Sequence, residues 1–147
     1  MIGVEVNWLA IIVAAAVKFA LGWGWYSPPV FGRQWMALTG ISEAEMRSGP
    51  GVTALIAEAI TDLIMAYVLA RFVLHYGATS LLEGAVIGFM AWLGFVATVT
   101  LASVFYERRP SRLWVINNGY LLLSLVVMGA ILGVWHGGAA VVAAPAA

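Results

Sequence analysis

The chain has 147 residues, 63% of them hydrophobic and only 10% charged, with a mean hydropathy of +0.98; soluble domains carry roughly a quarter charged residues, so a water-soluble globule is excluded. Seven basic and seven acidic residues cancel, which leaves no electrostatic footprint for nucleic acid as a partner. Cysteine is absent, and with it go disulfides, thiolate metal sites and cysteine nucleophiles.

So much apolar surface must face lipid or neighbouring helices, because a core of this size cannot hide it. The composition therefore predicts one all-α membrane domain over 1–147. Four apolar stretches, roughly 6–26, 52–76, 81–106 and 112–135, come near the twenty or so residues that span a bilayer. The first lacks the marks of a cleaved signal: Glu5 precedes it, no Lys or Arg does, and no small-residue cleavage pattern follows before Trp23. It is expected to remain in the mature protein.

The first helix must stop at Tyr26-Ser27-Pro28-Pro29, since the residue before a proline is pushed out of the helical region and proline has no N–H to donate. Trp23, Trp25 and Tyr26 then fall at the headgroups, as does Trp35 in the connection that follows. That connection, 27–51, is the only long one, and Val30, Phe31, Trp35, Met36 and Leu38 give it an apolar surface suited to a short interfacial helix. Ser42 followed by Glu45 has the spacing of a capping box, which predicts a second short turn before Ser48-Gly49-Pro50-Gly51 breaks it. The two later connections are short, so sequential helices are expected to be antiparallel neighbours in a four-helix bundle.

Arg33, Arg47, Arg108, Arg109 and Arg112 fall on the side of the first and third connections, while Arg71 approaches the other. The positive-inside rule makes the first side cytoplasmic and puts both termini outside. The segment after His136, small and apolar apart from Pro145, reads as a frayed end, and no internal repeat is evident.

Ionisable side chains inside a span are costly unless they face the bundle interior and find partners, which singles out Lys18, Glu58 and Asp62. At 1.5 Å per residue Lys18 lies about 12 Å from Tyr26, Glu58 about 9 Å from Val52 and Asp62 about 15 Å from Val52. In antiparallel helices the lysine then falls between the two carboxylates in depth. Facing agrees: Ala54, Glu58, Asp62, Ala66 and Ala70 recur every four residues, as do Ala10, Ala14, Lys18 and Gly22. Small residues on both stripes allow close backbone approach, so an intramembrane Lys18, Glu58, Asp62 cluster is expected. Thr100, Asn117 and Asn118 add a polar layer at similar depth. The cluster reads either as a structural clamp or snorkelling lysine, or as a proton or cation site, because two like charges in a low dielectric resist joint ionisation.

Gly84 and Gly88, and Gly129, Gly133 and Gly137, have GxxxG spacing, which is specific only to close helix packing, within a protomer or between protomers. His75, His136, Glu5 and Glu83 approach the outer face without ligand spacing; they read as interfacial polar residues, and neither a metal site nor a cofactor is expected. Phosphate loops, nucleophile triads and HExxH are absent from the sequence.

Asn7-Trp8-Leu9, Leu21-Gly22, Trp25-Tyr26-Ser27-Pro28, Phe31-Gly32 and Trp35, followed by Ile116-Asn117, Gly119-Tyr120 and the run from Met128 to Trp135, resemble the bacterial membrane family catalogued as domain of unknown function 1761. The resemblance covers nearly the whole chain. It implies a four-helix bacterial inner-membrane protein with no assigned activity, and it supplies no catalytic residues; Lys18, Glu58 and Asp62 lie outside its motifs.

The scarcity of reactive groups against the abundance of close-packing motifs favours a non-enzymatic packing or accessory subunit, in a homo-oligomer or a larger membrane complex. The alternative is a transporter or channel for a proton, cation or small solute that uses the charged cluster. An intramembrane enzyme has the weakest support, since no nucleophile and base pair is visible.

Overall fold

The computed structural model describes residues 5–135; His136, Gly137 and the frayed end expected after them lie outside the described residues. All the regular structure among the described residues is helical. Helix α1 (Trp8–Trp25) starts at Asn7, whose side-chain oxygen accepts from the backbone N–H groups of Leu9 and Ala10 at 3.1 and 3.2 Å, satisfying two of the donors that a helix start leaves orphaned. The Asn7 amide nitrogen donates to the Trp135 carbonyl at 3.2 Å, tying the start of α1 to the far end of the last described helix.

The proline pair ends α1. Ser27 is extended, and Pro28–Gly32 forms a π-helical turn that runs into α2 (Arg33–Thr39). Gly40 closes α2 in the left-handed region at φ 77°, where a side chain would be strained. Helix α3 (Glu43–Ser48) opens on a complete capping box: the Ser42 hydroxyl accepts from the Glu45 N–H at 3.2 Å, and the Glu45 carboxylate accepts from the Ser42 N–H at 2.8 Å. Helix α4 (Val52–His75) follows. Next come α5 (Leu81–Ala91), a π-helical segment Trp92–Ala97 and α6 (Thr98–Phe105), joined in one helical rod Leu81–Phe105. Helix α7 (Ser111–Val134) is the last element among the described residues. Among the described residues four rods, α1, α4, α5–α6 and α7, are long and apolar enough to cross a membrane.

The π-helical segment was not anticipated from the pattern of apolar residues, and its local chemistry explains it. Widening a helix displaces carbonyls from their usual donors. Here the Thr98 and Thr100 hydroxyls donate to the carbonyls of Gly94 and Val96 at 2.8 and 2.7 Å. The Trp92 ring N–H reaches across to the Asn118 carbonyl at 3.1 Å.

Helix α7 is the most buried, from Leu113 through Gly133. Its closest neighbour is α5. A Cβ added to Gly84 would lie 2.0 Å from the Gly129 carbonyl oxygen, and one added to Gly88 would lie 2.0 Å from that of Leu125. Gly129 and Gly133 face back in the same way, onto Gly84 and Ser80. The two glycine motifs therefore meet each other inside one protomer. Helices α1 and α4 close the other side, where Ile11, Ala14, Ala66, Leu69 and Val73 pack with Leu125 and Met128 into a core with almost no exposed surface.

Candidate functional site

Lys18 is buried on α1, on the same stripe as Ala10 and Ala14. Its ammonium nitrogen donates to Asp62 Oδ1, to Glu58 Oε1 at 3.2 Å and to Tyr120 Oη at 3.2 Å. The Tyr120 hydroxyl in turn donates to the Lys18 carbonyl at 3.2 Å, and the ammonium sits 5.2 Å from the centre of the Tyr120 ring. Tyr120 fits against α1 because position 22 is glycine: a Cβ there would lie 3.0 Å from its hydroxyl. An ammonium has three protons to donate, and these three acceptors match them. One cation thus joins α1, α4 and α7.

The two carboxylates are not equivalent. The Asp62 side chain is 2% exposed and the Glu58 side chain 48%. The small-residue stripe of α4 is buried at Asp62, Ala66 and Ala70 but open at Ala54 and Glu58. The second oxygen of Asp62 is buried without a hydrogen-bond partner, as is the hydroxyl of Ser124 on α7.

The open end of that stripe borders a cleft of about 540 Å³ between α1, α4, α7 and the α2–α3 segment, within the roughly 300–1,000 Å³ typical of small-molecule sites. Glu58 and Tyr120 line its inner part, Trp23, Tyr26 and Trp35 give it an aromatic side, and Glu45, Met46 and Pro50 border it from the loop. On the far side of the charged cluster, Ala14, Ala66, Ser124 and Met128 are fully buried. Ala14, Ala66 and Ser124 lie one helical turn beyond Lys18, Asp62 and Tyr120, and Met128 a turn further, and they stop the cleft in that direction.

The remaining polar residues form two separate groups. The Thr100 hydroxyl lies 3.1 Å from Asn118 Oδ1 and accepts from the Trp114 ring N–H at 3.1 Å, fastening α6 to α7. Asn117 takes no part there; its side-chain oxygen accepts from the Tyr26 hydroxyl at 3.0 Å. Trp25 donates to the Ile116 carbonyl at 3.0 Å, and Trp35 packs edge-on against Tyr26 with ring centres 5.4 Å apart. Trp25, Tyr26 and Trp35 thus have protein partners; Trp23 packs against Phe19 with ring centres 6.3 Å apart and remains 64% exposed. His75 packs against Tyr76, and Glu83 accepts from the Thr79 N–H at 2.8 Å. Among the described residues no three His, Asp or Glu side chains gather as metal ligands.

A family model described as "Protein of unknown function (DUF1761)" matches residues 9–133. The chain belongs to this family. The match takes in every residue of the charged cluster and of the cleft, so this DUF1761 member carries both within the family domain. No curated protein and no solved structure matches the chain.

Sequence reasoning singled out Lys18, Glu58 and Asp62 but gave Tyr120 no role in the cluster. The available signal was a tyrosine deep in an apolar stretch, whose hydroxyl needs a partner when buried. Glu45 and Trp23 were equally missed as cleft residues, because nothing local indicates that the α2–α3 segment folds back beside α1.

Proposed function

We propose that the chain is a four-helix antiparallel transmembrane bundle that admits a small solute into its cleft from the α2–α3 face, as a solute-binding carrier protein. The observation that supports this reading is the exposure of Glu58. A clamp between helices requires only the buried Lys18 and Asp62, and an ion pair spent on packing has no reason to leave a second carboxylate on the wall of a cleft. The cleft is blocked beyond the cluster, which corresponds to one open side of a site that would have to open alternately.

Helices α2 and α3 would lie at the membrane interface. Arg33, Arg47, Arg108, Arg109 and Arg112 belong to that end of the molecule, so the positive-inside rule makes it cytoplasmic in a bacterial inner membrane and puts both termini outside. An accessory or packing subunit has less support, because the glycine motifs that would mediate association are consumed between α5 and α7.

Single cysteines test the reading, as the chain has none of its own. Ala54→Cys in the cleft and Ile60→Cys on the exposed face of α4 are treated in intact cells with a water-soluble thiol reagent, with Ser42→Cys as the loop control. A solvated cleft open inside predicts that permeant reagent labels positions 54 and 42 but not 60, and that impermeant reagent added outside labels none. A position 54 as inert as position 60 would overturn the cleft as a solute site, and outside labelling at 42 would reverse the orientation.

A further inference from the structure

We infer that the cleft selects an organic cation with an apolar body, in preference to a neutral or anionic molecule of the same shape. This inference rests on the cleft being the solute site and concerns what it takes.

The charges bordering the cleft are of one sign: Glu58 on the inner wall and Glu45 at the loop. Lys18, the cation that holds Glu58, is 3% exposed. Its three donor positions are matched by Glu58, Asp62 and Tyr120, so it has no hydrogen left for an anionic ligand. The cluster also carries two carboxylates against one ammonium, and Glu58, the half-exposed one, borders the cleft. A cation bound beside Glu58 would share that carboxylate with Lys18.

The aromatic side favours the same charge. Trp23, Tyr26, Trp35 and Tyr120 line the cleft with Glu58, and ring faces attract cations and not anions. The rest of the lining, including Phe19, Leu55 and Ile41, is apolar. An inorganic cation would lose its hydration to one carboxylate and a set of rings, whereas an organic cation keeps a large apolar surface in contact with them.

Tetraphenylphosphonium tests the inference, with tetraphenylborate as the anion of matched shape and tetraphenylmethane as the neutral one. Binding is read as saturable quenching of tryptophan fluorescence in lipid nanodiscs, above that of empty discs, since Trp23 and Trp35 border the cleft. The wild-type protein is expected to bind the phosphonium at least tenfold more tightly than either isostere. Glu58→Gln, which keeps the shape and leaves the Lys18–Asp62 pair in place, should weaken phosphonium binding at least tenfold while the protein stays folded by circular dichroism. Ala54→Phe, which keeps every charge and narrows the cleft, should weaken it too. Equal binding of all three probes, lost in Ala54→Phe but not in Glu58→Gln, would overturn cation selection and leave the cleft as a solute site. Saturable binding of none of them would overturn both.

Discussion

Removing the Lys18 ammonium separates the inner ion pair from the outer one by their stability effects. In Lys18→Met the Asp62 carboxylate, buried with one oxygen already unpartnered, loses its hydrogen-bond donor. Breaking a buried pair from one side costs about 3–5 kcal/mol, because the stranded charge keeps its desolvation penalty. At roughly 2–4 °C per kcal/mol for a chain of this size, the unfolding midpoint should fall on the order of 10 °C. Glu58 contributes little to that figure, since its side chain is half exposed and exposed pairs contribute about 0–1 kcal/mol. Glu58→Gln alone should therefore shift the midpoint by only a few degrees. Replacing both inner partners, Lys18→Met with Asp62→Leu, removes the stranded charge and should recover most of the loss, as apolar groups of similar volume substitute well for buried pairs. Thermal unfolding of the purified protein in one detergent, followed by circular dichroism, compares the three variants with the wild type under identical conditions. A double variant no more stable than Lys18→Met, or a Glu58→Gln as damaging as Lys18→Met, would refute the division into a buried pair that holds the helices and an exposed carboxylate that does not.

Gly88→Ala should cost about 1–3 kcal/mol by overpacking, since the new methyl would meet a backbone carbonyl that cannot turn aside, whereas Gly94→Ala meets nothing within 4 Å and should be neutral or slightly stabilising in the same melts. The Ser42 hydroxyl and N–H hold the Glu45 carboxyl below the usual carboxylate range. A lowered folded value stabilises the α3 cap above the ordinary carboxylate range and is lost as pH falls through that lowered value. Amide exchange of α3, corrected for the intrinsic pH dependence, should lose protection on acidification, and Ser42→Ala should weaken that protection already at neutral pH.

Much of this molecule follows from short-range rules acting on the sequence alone. Composition points to lipid as the solvent, and the lengths of the apolar runs mark four helices long enough to cross a membrane. The Pro28-Pro29 pair ends α1, and the Ser42 and Glu45 spacing writes the cap of α3. Depth and facing of Lys18, Glu58 and Asp62 were legible too, because rise and turn per residue are constant along a helix and a four-residue interval keeps side chains on one face. The environment of each was not. Whether a carboxylate is sealed or open depends on what covers it, and the cover at Asp62 comes from α1 and α7, while the opening at Glu58 comes from the path of the α2–α3 segment. Tyr120 enters the cluster from 102 residues away, at a position that rotation of α7 about its axis decides. That rotation is set by Gly84, Gly88, Gly129 and Gly133, where two backbones touch. Glycine spacing announces that some close contact exists, but only the packed helices determine which faces make it, because the energy lies in the fit between surfaces that are distant in the chain.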